Sequence, residues 1–297
     1  MKIGLMSPGD MGASVANFFV KAGFQVYSNL SNRSGLSKTR AKNAGIVDLE
    51  SLESIVNEVD LFFSIIPPDK SVILAKKIGD IALRNKLNFV YFDMNAISPK
   101  TSLKIDKIFK DLEVSYVDGS IIGGPPQRNL FPRFYVSGNN ANKISPLDGS
   151  GIEVRVLSDQ IGDASALKMS YASITKGTTA LYAAALIVAK KTGVYEHFIK
   201  ELSESQKNVL NNMKNSFPNV KSKAYRWIGE MLEISDTFSD SSISGNFHKG
   251  AADTFDIISK EFERTKLDNF NEKDEMRKLS ILIDKWLFEA ENRSNDN

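Results

Sequence analysis

Over the first half of the chain, short apolar runs alternate with amphipathic stretches, the pattern that successive βα units produce. Runs at residues 2–6, 25–28, 61–66, 89–93, 115–119, 134–137 and 153–157 predict strands. Helical spacing between them predicts helices near 12–22, 40–44, 51–57, 71–82 and 101–111. The unbroken apolar run Leu61-Phe62-Phe63-Ser64-Ile65-Ile66 is what a parallel strand buried on both faces requires. After about Gly162 the pattern changes. Residues 163–191 are Ala-rich with Gly177 as almost the sole breaker, which predicts one long helix. Further helices are expected at 196–215, 222–236, 249–263 and 273–291, followed by a polar, frayed tail at 292–297. The predicted fold is α/β: a doubly wound Rossmann sheet in a domain over 1–160, then an all-α domain over 161–297, joined by the long helix.

Composition adds exclusions. With 38 basic and 36 acidic residues, the net charge of +2 gives no reason to expect nucleic acid or an anionic membrane surface as partner. The absence of cysteine removes disulfides and thiolate chemistry, and His197 and His248 are too far apart in sequence to suggest a metal cluster. No signal core opens the chain and no apolar run approaches membrane-spanning length, so a soluble cytoplasmic protein is expected.

The segment Ile3-Gly4-Leu5-Met6-Ser7-Pro8-Gly9-Asp10-Met11-Gly12 follows the first strand and opens the first helix, the context of a dinucleotide fingerprint. Gly9 would let backbone approach a pyrophosphate, Gly12 would let helix pack on sheet, and the helix N-terminus would offer N–H groups to phosphate. Ser7 stands where the first glycine of the fingerprint normally sits. At the end of the second strand, where an NAD site usually has an acid, the chain has Ser28-Asn29 and then Asn32-Arg33-Ser34. Arg33 can meet a 2′-phosphate bidentately with Ser34 beside it, so NADP is expected over NAD. A solvent-exposed loop arginine is the bland alternative.

The series Ser64-Ile65-Ile66-Pro67-Pro68, Asp93-Met94-Asn95-Ala96-Ile97-Ser98-Pro99, Asp118-Gly119-Ser120-Ile121-Ile122-Gly123-Gly124-Pro125-Pro126 and Gly162-Asp163-Ala164-Ser165-Ala166-Leu167-Lys168-Met169 resembles the β-hydroxyacid dehydrogenase superfamily. That superfamily includes 3-hydroxyisobutyrate and 6-phosphogluconate dehydrogenases. Ala166 to Ala172, Thr175-Lys176-Gly177 and Arg226-Trp227-Ile228-Gly229-Glu230-Met231 look like its branch with a DUF1932-type C-terminal domain. The resemblance spans about residues 1–262. It implies an NAD(P)-binding domain, an all-α second domain, a dimer, and an active site in the cleft between domains. By position it implies that Lys168 is the catalytic lysine and that Gly123-Gly124 form the substrate loop. It also implies that the Pro67-Pro68 and Asn95 loops line the cofactor cleft, and Ile66, next to the first of them, is a further candidate cofactor contact. Ile122 replaces a substrate-binding serine of the 3-hydroxyisobutyrate type, and Ala172 replaces the asparagine one turn after the lysine.

Lys168 lies among small and apolar residues, and burial there would lower its pKa towards that of a proton shuttle; a snorkelling structural lysine is the alternative. Tyr171, one turn on, could donate to the same substrate oxygen or simply pack. Ser120 shares a face with residue 122 if the strand continues that far, and could stand in for the missing serine. Asn95 could bind nicotinamide or substrate, or cap the turn at Ile97-Ser98. His248 reads as a surface or capping residue, Arg226 with Glu230 as a helix-face ion pair, and Asp118 as a turn cap. The residues together favour an NADP-dependent oxidoreductase of a small hydroxy acid or its carbonyl counterpart. An imine reductase and a non-catalytic dinucleotide sensor are the alternatives.

Overall fold

A computed structural model describes residues 1–264, with the backbone alone at 218–219, 221–222 and 261–264. The expected helix at 273–291 and the tail at 292–297 lie outside the described residues. The chain divides into one compact unit, Met1–Ser170, and a second that begins at Tyr171.

The first unit runs β1 (Lys2–Met6), α1 (Asp10–Lys21), β2 (Gln25–Ser28), α2 (Gly35–Ala44), β3 (Val47–Asp48), α3 (Leu52–Val56), β4 (Leu61–Ser64) and α4 (Pro68–Asn85). It continues with β5 (Val90–Asp93), α5 (Pro99–Phe109), β6 (Ser115–Ile122), β7 (Arg133–Ser137), a 3₁₀ segment (Ala141–Leu147) and β8 (Glu153–Ser158). The strands form one sheet in the order β3-β2-β1-β4-β5-β6-β7-β8. β3 to β6 lie parallel across β2, β1, β4 and β5, whereas β7 runs antiparallel to β6 and parallel to β8. Chain order therefore reverses at β1, with β2 on one side and β4 on the other. In open parallel sheets the crevice for a ligand opens at that point, beyond the carboxyl ends of the strands.

Alternation along the strands builds the two faces. Ile3, Leu5, Phe63, Phe92 and Val117 pack with Val15, Ala16 and Phe19 of α1. Phe62, Tyr91 and Tyr116 pack instead with Ile78 of α4 and with Ile105 and Phe109 of α5. Phe63 stacks on Phe92 at 4.9 Å and Phe62 on Tyr91 at 5.5 Å, so the central strands carry paired aromatics on both faces. Burying each such ring contributes about 1.5–3 kcal/mol, enough to fix the register. Helix starts follow local chemistry: Ser34, Ser51 and Ser98 each accept the N–H three residues on, and Pro68 and Pro99 open α4 and α5.

α6 (Asp163–Lys191) begins in the first unit and continues into the second, which adds α7 (Tyr195–Ser205), α8 (Lys207–Asp240) and α9 (Asn246–Arg264). The sequence places a helix break between 216 and 221. The structure moves it to Gln206 (φ −137°, ψ 49°), and α8 continues through Pro218. Phe217, Val220 and Ala224 are buried on one face of that helix, and this packing offsets the one hydrogen bond that proline forfeits. α8 and α9 pack antiparallel, with Trp227 edge-on to Phe255 at 5.1 Å and Phe238 against His248 at 4.4 Å. The expectation that no run approaches membrane-spanning length is corrected by α6, which is long and apolar enough by length and composition alone. Its lysines nonetheless find partners in the fold: Lys168 meets β6 and Lys176 meets α8.

Candidate active site

Met6 ends β1, and the chain turns through Ser7 to Gly9, the N-cap of α1. A Cβ at Gly12 would lie 2.2 Å from the Ser7 carbonyl oxygen, so only glycine lets α1 sit this close to the turn. A Cβ at Gly9 would meet nothing within 4 Å. The space outside the turn is open, and no side chain caps the α1 N-terminus. First-turn N–H groups of a helix lack partners inside it, and here they border that open space. Ser7, Gly9, Asp10, Met11 and Gly12 thus fit a diphosphate. The Ser7 N–H donates to the Ile65 carbonyl at 3.1 Å, tying the turn to the end of β4. Asp10 pairs with Arg40 at 3.5 Å.

At the end of β2, Asn32 adopts φ +59° and the half-buried Arg33 precedes Ser34, the cap of α2. One feature was not legible in the sequence: the short β3 brings Asp48 beside Ser28, where its carboxylate accepts the Leu30 N–H at 2.8 Å. An acid therefore does stand near this loop, bound to backbone.

Asn95 is almost fully buried. Its Oδ1 accepts the Ile66 N–H at 2.6 Å and its Nδ2 donates to Ser64 Oγ at 2.8 Å, so it staples the loops after β4 and β5 together. It does not cap the next helix, because Ser98 does so. Ile66 is half-buried and Pro67 exposed at the same carboxyl edge of the sheet.

β6 pairs with β5 as far as Asp118 and then runs on to Ile122 against β7, three residues beyond the expected end at Gly119. Asp118, Ser120 and Ile122 consequently share a face. Ser120 is buried, and its hydroxyl has no hydrogen-bond partner. Gly123 (φ +125°) and Gly124 follow, both exposed. Lys168, in the second turn of α6, donates from Nζ to the Ile121 carbonyl at 2.6 Å. The structure thus brings the lysine onto the strand that carries Ser120. Burial lowers the Lys168 pKa to about 8. Tyr171 is 46% exposed, in contrast to the ammonium one turn before it.

Three readings are corrected. His248 is buried rather than on the surface, packed on Phe238, with burial depressing its pKa. Glu230 pairs with Lys176 of α6, which also lies 5.9 Å from the Trp227 ring, instead of with Arg226; the Arg226 guanidinium lies over Tyr225. Asp118 is not a turn cap but a fully buried carboxylate that accepts from Ser102, Ser137, Gly162 and Ser165. A lone acid inside the apolar run Tyr116-Val117-Asp118 was the available signal, because a buried charge demands a full set of donors.

Comparison with known proteins agrees with this fold. Residues 2–143 match the NAD binding domain of 6-phosphogluconate dehydrogenase, and 189–258 match a domain of unknown function, DUF1932. An uncharacterised 28.5 kDa protein of Methanothermus fervidus is 30% identical over 206 residues, 69% of this chain and 78% of the relative. The 2-(hydroxymethyl)glutarate dehydrogenase of Eubacterium barkeri is 26% identical over 125 residues, 42% of this chain and 41% of that enzyme. The 3-hydroxyisobutyrate dehydrogenase structure from Mycobacterium tuberculosis shares the fold, with a TM-score of 0.64 at 15% identity over 96% of this chain and 98% of that one. By class the protein carries an NAD(P)-binding Rossmann domain. It belongs to the 6-phosphogluconate dehydrogenase-like family with a DUF1932 C-terminal domain, as the resemblance implied.

Proposed function

We propose that the protein interconverts a small hydroxy acid and its carbonyl counterpart, using NADP and with Lys168 as general acid and base. The observation that carries this reading is the Lys168 ammonium held at the carboxyl end of β6, with a pKa of about 8. When bound, the nicotinamide would supply a two-electron acceptor or donor for the carbon that bears the oxygen. Ser7, Gly9, Asp10, Met11 and Gly12 would hold the diphosphate, with Ile66, Pro67 and Asn95 framing the cofactor's path along the strand ends. The neutral Lys168 amine takes the hydroxyl proton during oxidation, and its ammonium returns a proton to the oxygen during reduction. The bond to Ile121 leaves the nitrogen a site for that exchange, since an ammonium has three donors and one is used here. Ser120, Gly123 and Gly124 are the proposed substrate contacts, and Tyr171 the second donor. A homodimer is the proposed assembly and a small molecule the partner.

The pH dependence follows with a definite sign. Oxidation needs the neutral amine, so its kcat/KM rises as pH climbs through about 8; reduction needs the ammonium and falls over the same range. Rate profiles in both directions check this, and flat profiles between pH 7 and 9 would contradict it.

Arg33→Ala tests the choice of coenzyme. Losing a charge-assisted contact to the 2′-phosphate weakens NADPH binding roughly 10- to 100-fold and leaves NADH nearly unchanged. Fluorescence titration with both coenzymes measures it. Equal losses remove the basis for preferring NADP.

A further inference from the structure

Asp118 gathers donors from three directions. Ser102 Oγ of α5 donates to Oδ1 at 2.8 Å, and Ser137 Oγ of β7 donates to Oδ2 at 3.1 Å. The remaining donors come from the start of α6: Gly162 N–H at 3.1 Å and Ser165 N–H at 2.9 Å to Oδ2, and Ser165 Oγ at 2.6 Å to Oδ1. Every contact donates into the carboxylate, and the two backbone N–H groups among them can do nothing else. Burial pushes the Asp118 carboxyl above the usual range, and these hydrogen bonds offset that rise only in part. The hydroxyls are directional as well. Because Ser102 spends its single hydrogen on Asp118, Tyr116 must donate to Ser102 across their 2.8 Å contact. Ser137 likewise accepts the Ala164 N–H at 3.1 Å while donating to the acid.

A buried carboxylate thus caps α6 from another element, where helix N–H groups and the helix dipole both favour negative charge. The second attachment lies one turn further on. Ser165 meets Asp118, and Lys168 meets Ile121, so two positions three apart on the helix are matched to two positions three apart on the strand. We infer that Asp118 is a positioning residue which fixes the start of α6 on β6 and thereby sets the place of the Lys168 ammonium. The inference rests on the reading of Lys168 as acid and base and deepens it, because the proton-transfer group would owe its location to a carboxylate that never touches substrate.

Other ionisable groups on these elements include Tyr91 and Asp93 on β5, Tyr116 on β6, Lys100, Lys104, Asp106 and Lys107 on α5, Arg133 and Tyr135 on β7, and Asp163, Tyr171, Lys176, Tyr182, Lys190 and Lys191 on α6; Asp163 already accepts from Ser158 at 2.6 Å. Burial is the cause of the depressed Lys168 pKa. Loosening the anchor would let water reach the ammonium and return its pKa towards the ordinary 10.5.

The test uses the full-length protein with lysine labelled at ¹³Cε. The Lys168 signal is assigned by its loss in Lys168→Met and titrated in wild type, Asp118→Asn and the milder Ser165→Ala, with circular dichroism to certify the fold. The wild-type midpoint is expected near 8. Both variants should raise it by roughly one unit, and the pH limb of kcat/KM should move with it. A folded Ser165→Ala or Asp118→Asn protein with an unmoved midpoint overturns the inference; if Asp118→Asn does not fold, Ser165→Ala decides. Full turnover in Lys168→Met overturns the catalytic reading instead, and the titration, which needs no turnover, still judges the anchor.

Discussion

Lys168→Ala should lose turnover by roughly 10²- to 10⁴-fold, the range ascribed to a positioned general acid or base, while NADPH binds about as well as before. The two halves of that result have separate origins. The ammonium contacts β6, three residues from the Asp118 anchor, whereas the open space suited to diphosphate lies at the β1–α1 turn. Truncating the side chain removes the proton carrier and leaves the turn intact. Its bond to the Ile121 carbonyl is a single link at the edge of a strand already paired to β7, so the fold should survive. Steady-state rates on a panel of hydroxy acids and carbonyls, with a coenzyme titration alongside, give both numbers. Unchanged kcat would remove Lys168 from the chemistry. Wild-type protein that binds coenzyme and turns over nothing on that panel would favour a sensor.

Gly9→Val is the second large effect, expected on binding. At φ −73° the position suits an L-residue, and a new Cβ would touch no atom of the protein, so stability should change little. The added methyls would instead fill the space bordered by the first-turn N–H groups of α1. Affinity for NADPH and NADH should fall together by at least about 100-fold, because the diphosphate is common to both. Gly12→Ala makes the useful contrast. Its Cβ would collide with the Ser7 oxygen at 2.2 Å, so it should lower the melting temperature as well as coenzyme affinity. Calorimetry and thermal melts separate the two cases. Undiminished binding by Gly9→Val would mean that the diphosphate lies elsewhere.

Much of the fold was legible because its pattern is local. β1, β2 and α6 fall where periodicity puts them, and the turn between β1 and α1 carries its glycines in sequence order. What stayed hidden depends on contacts between distant segments. β3 is two residues long and exposed, so neither length nor hydrophobicity marks it, yet it delivers Asp48 to the end of β2. β6 outruns its expected end because β7 folds back to pair with it, a tertiary fact that no strand propensity contains. The Gln206 break was missed for the opposite reason: Pro218 is a strong local breaker that packing of the surrounding helix overrides. At the candidate site, Lys168 was singled out by the family resemblance together with its small, apolar neighbours in sequence. The roles of Asn95 and Asp118 required knowing which loops meet.

The return from β6 to β7 has a consequence for how such a protein diversifies. Gly123 closes the base of the loop against Pro132, where a Cβ would lie 3.1 Å from Cα, and beneath that closure the two strands are locked in register. Residues 124–131 can therefore be lengthened, shortened or exchanged while Lys168 stays where it is. Lineages that share one chemistry could acquire new preferences by rewriting that hairpin tip, leaving the sheet as an inherited chassis.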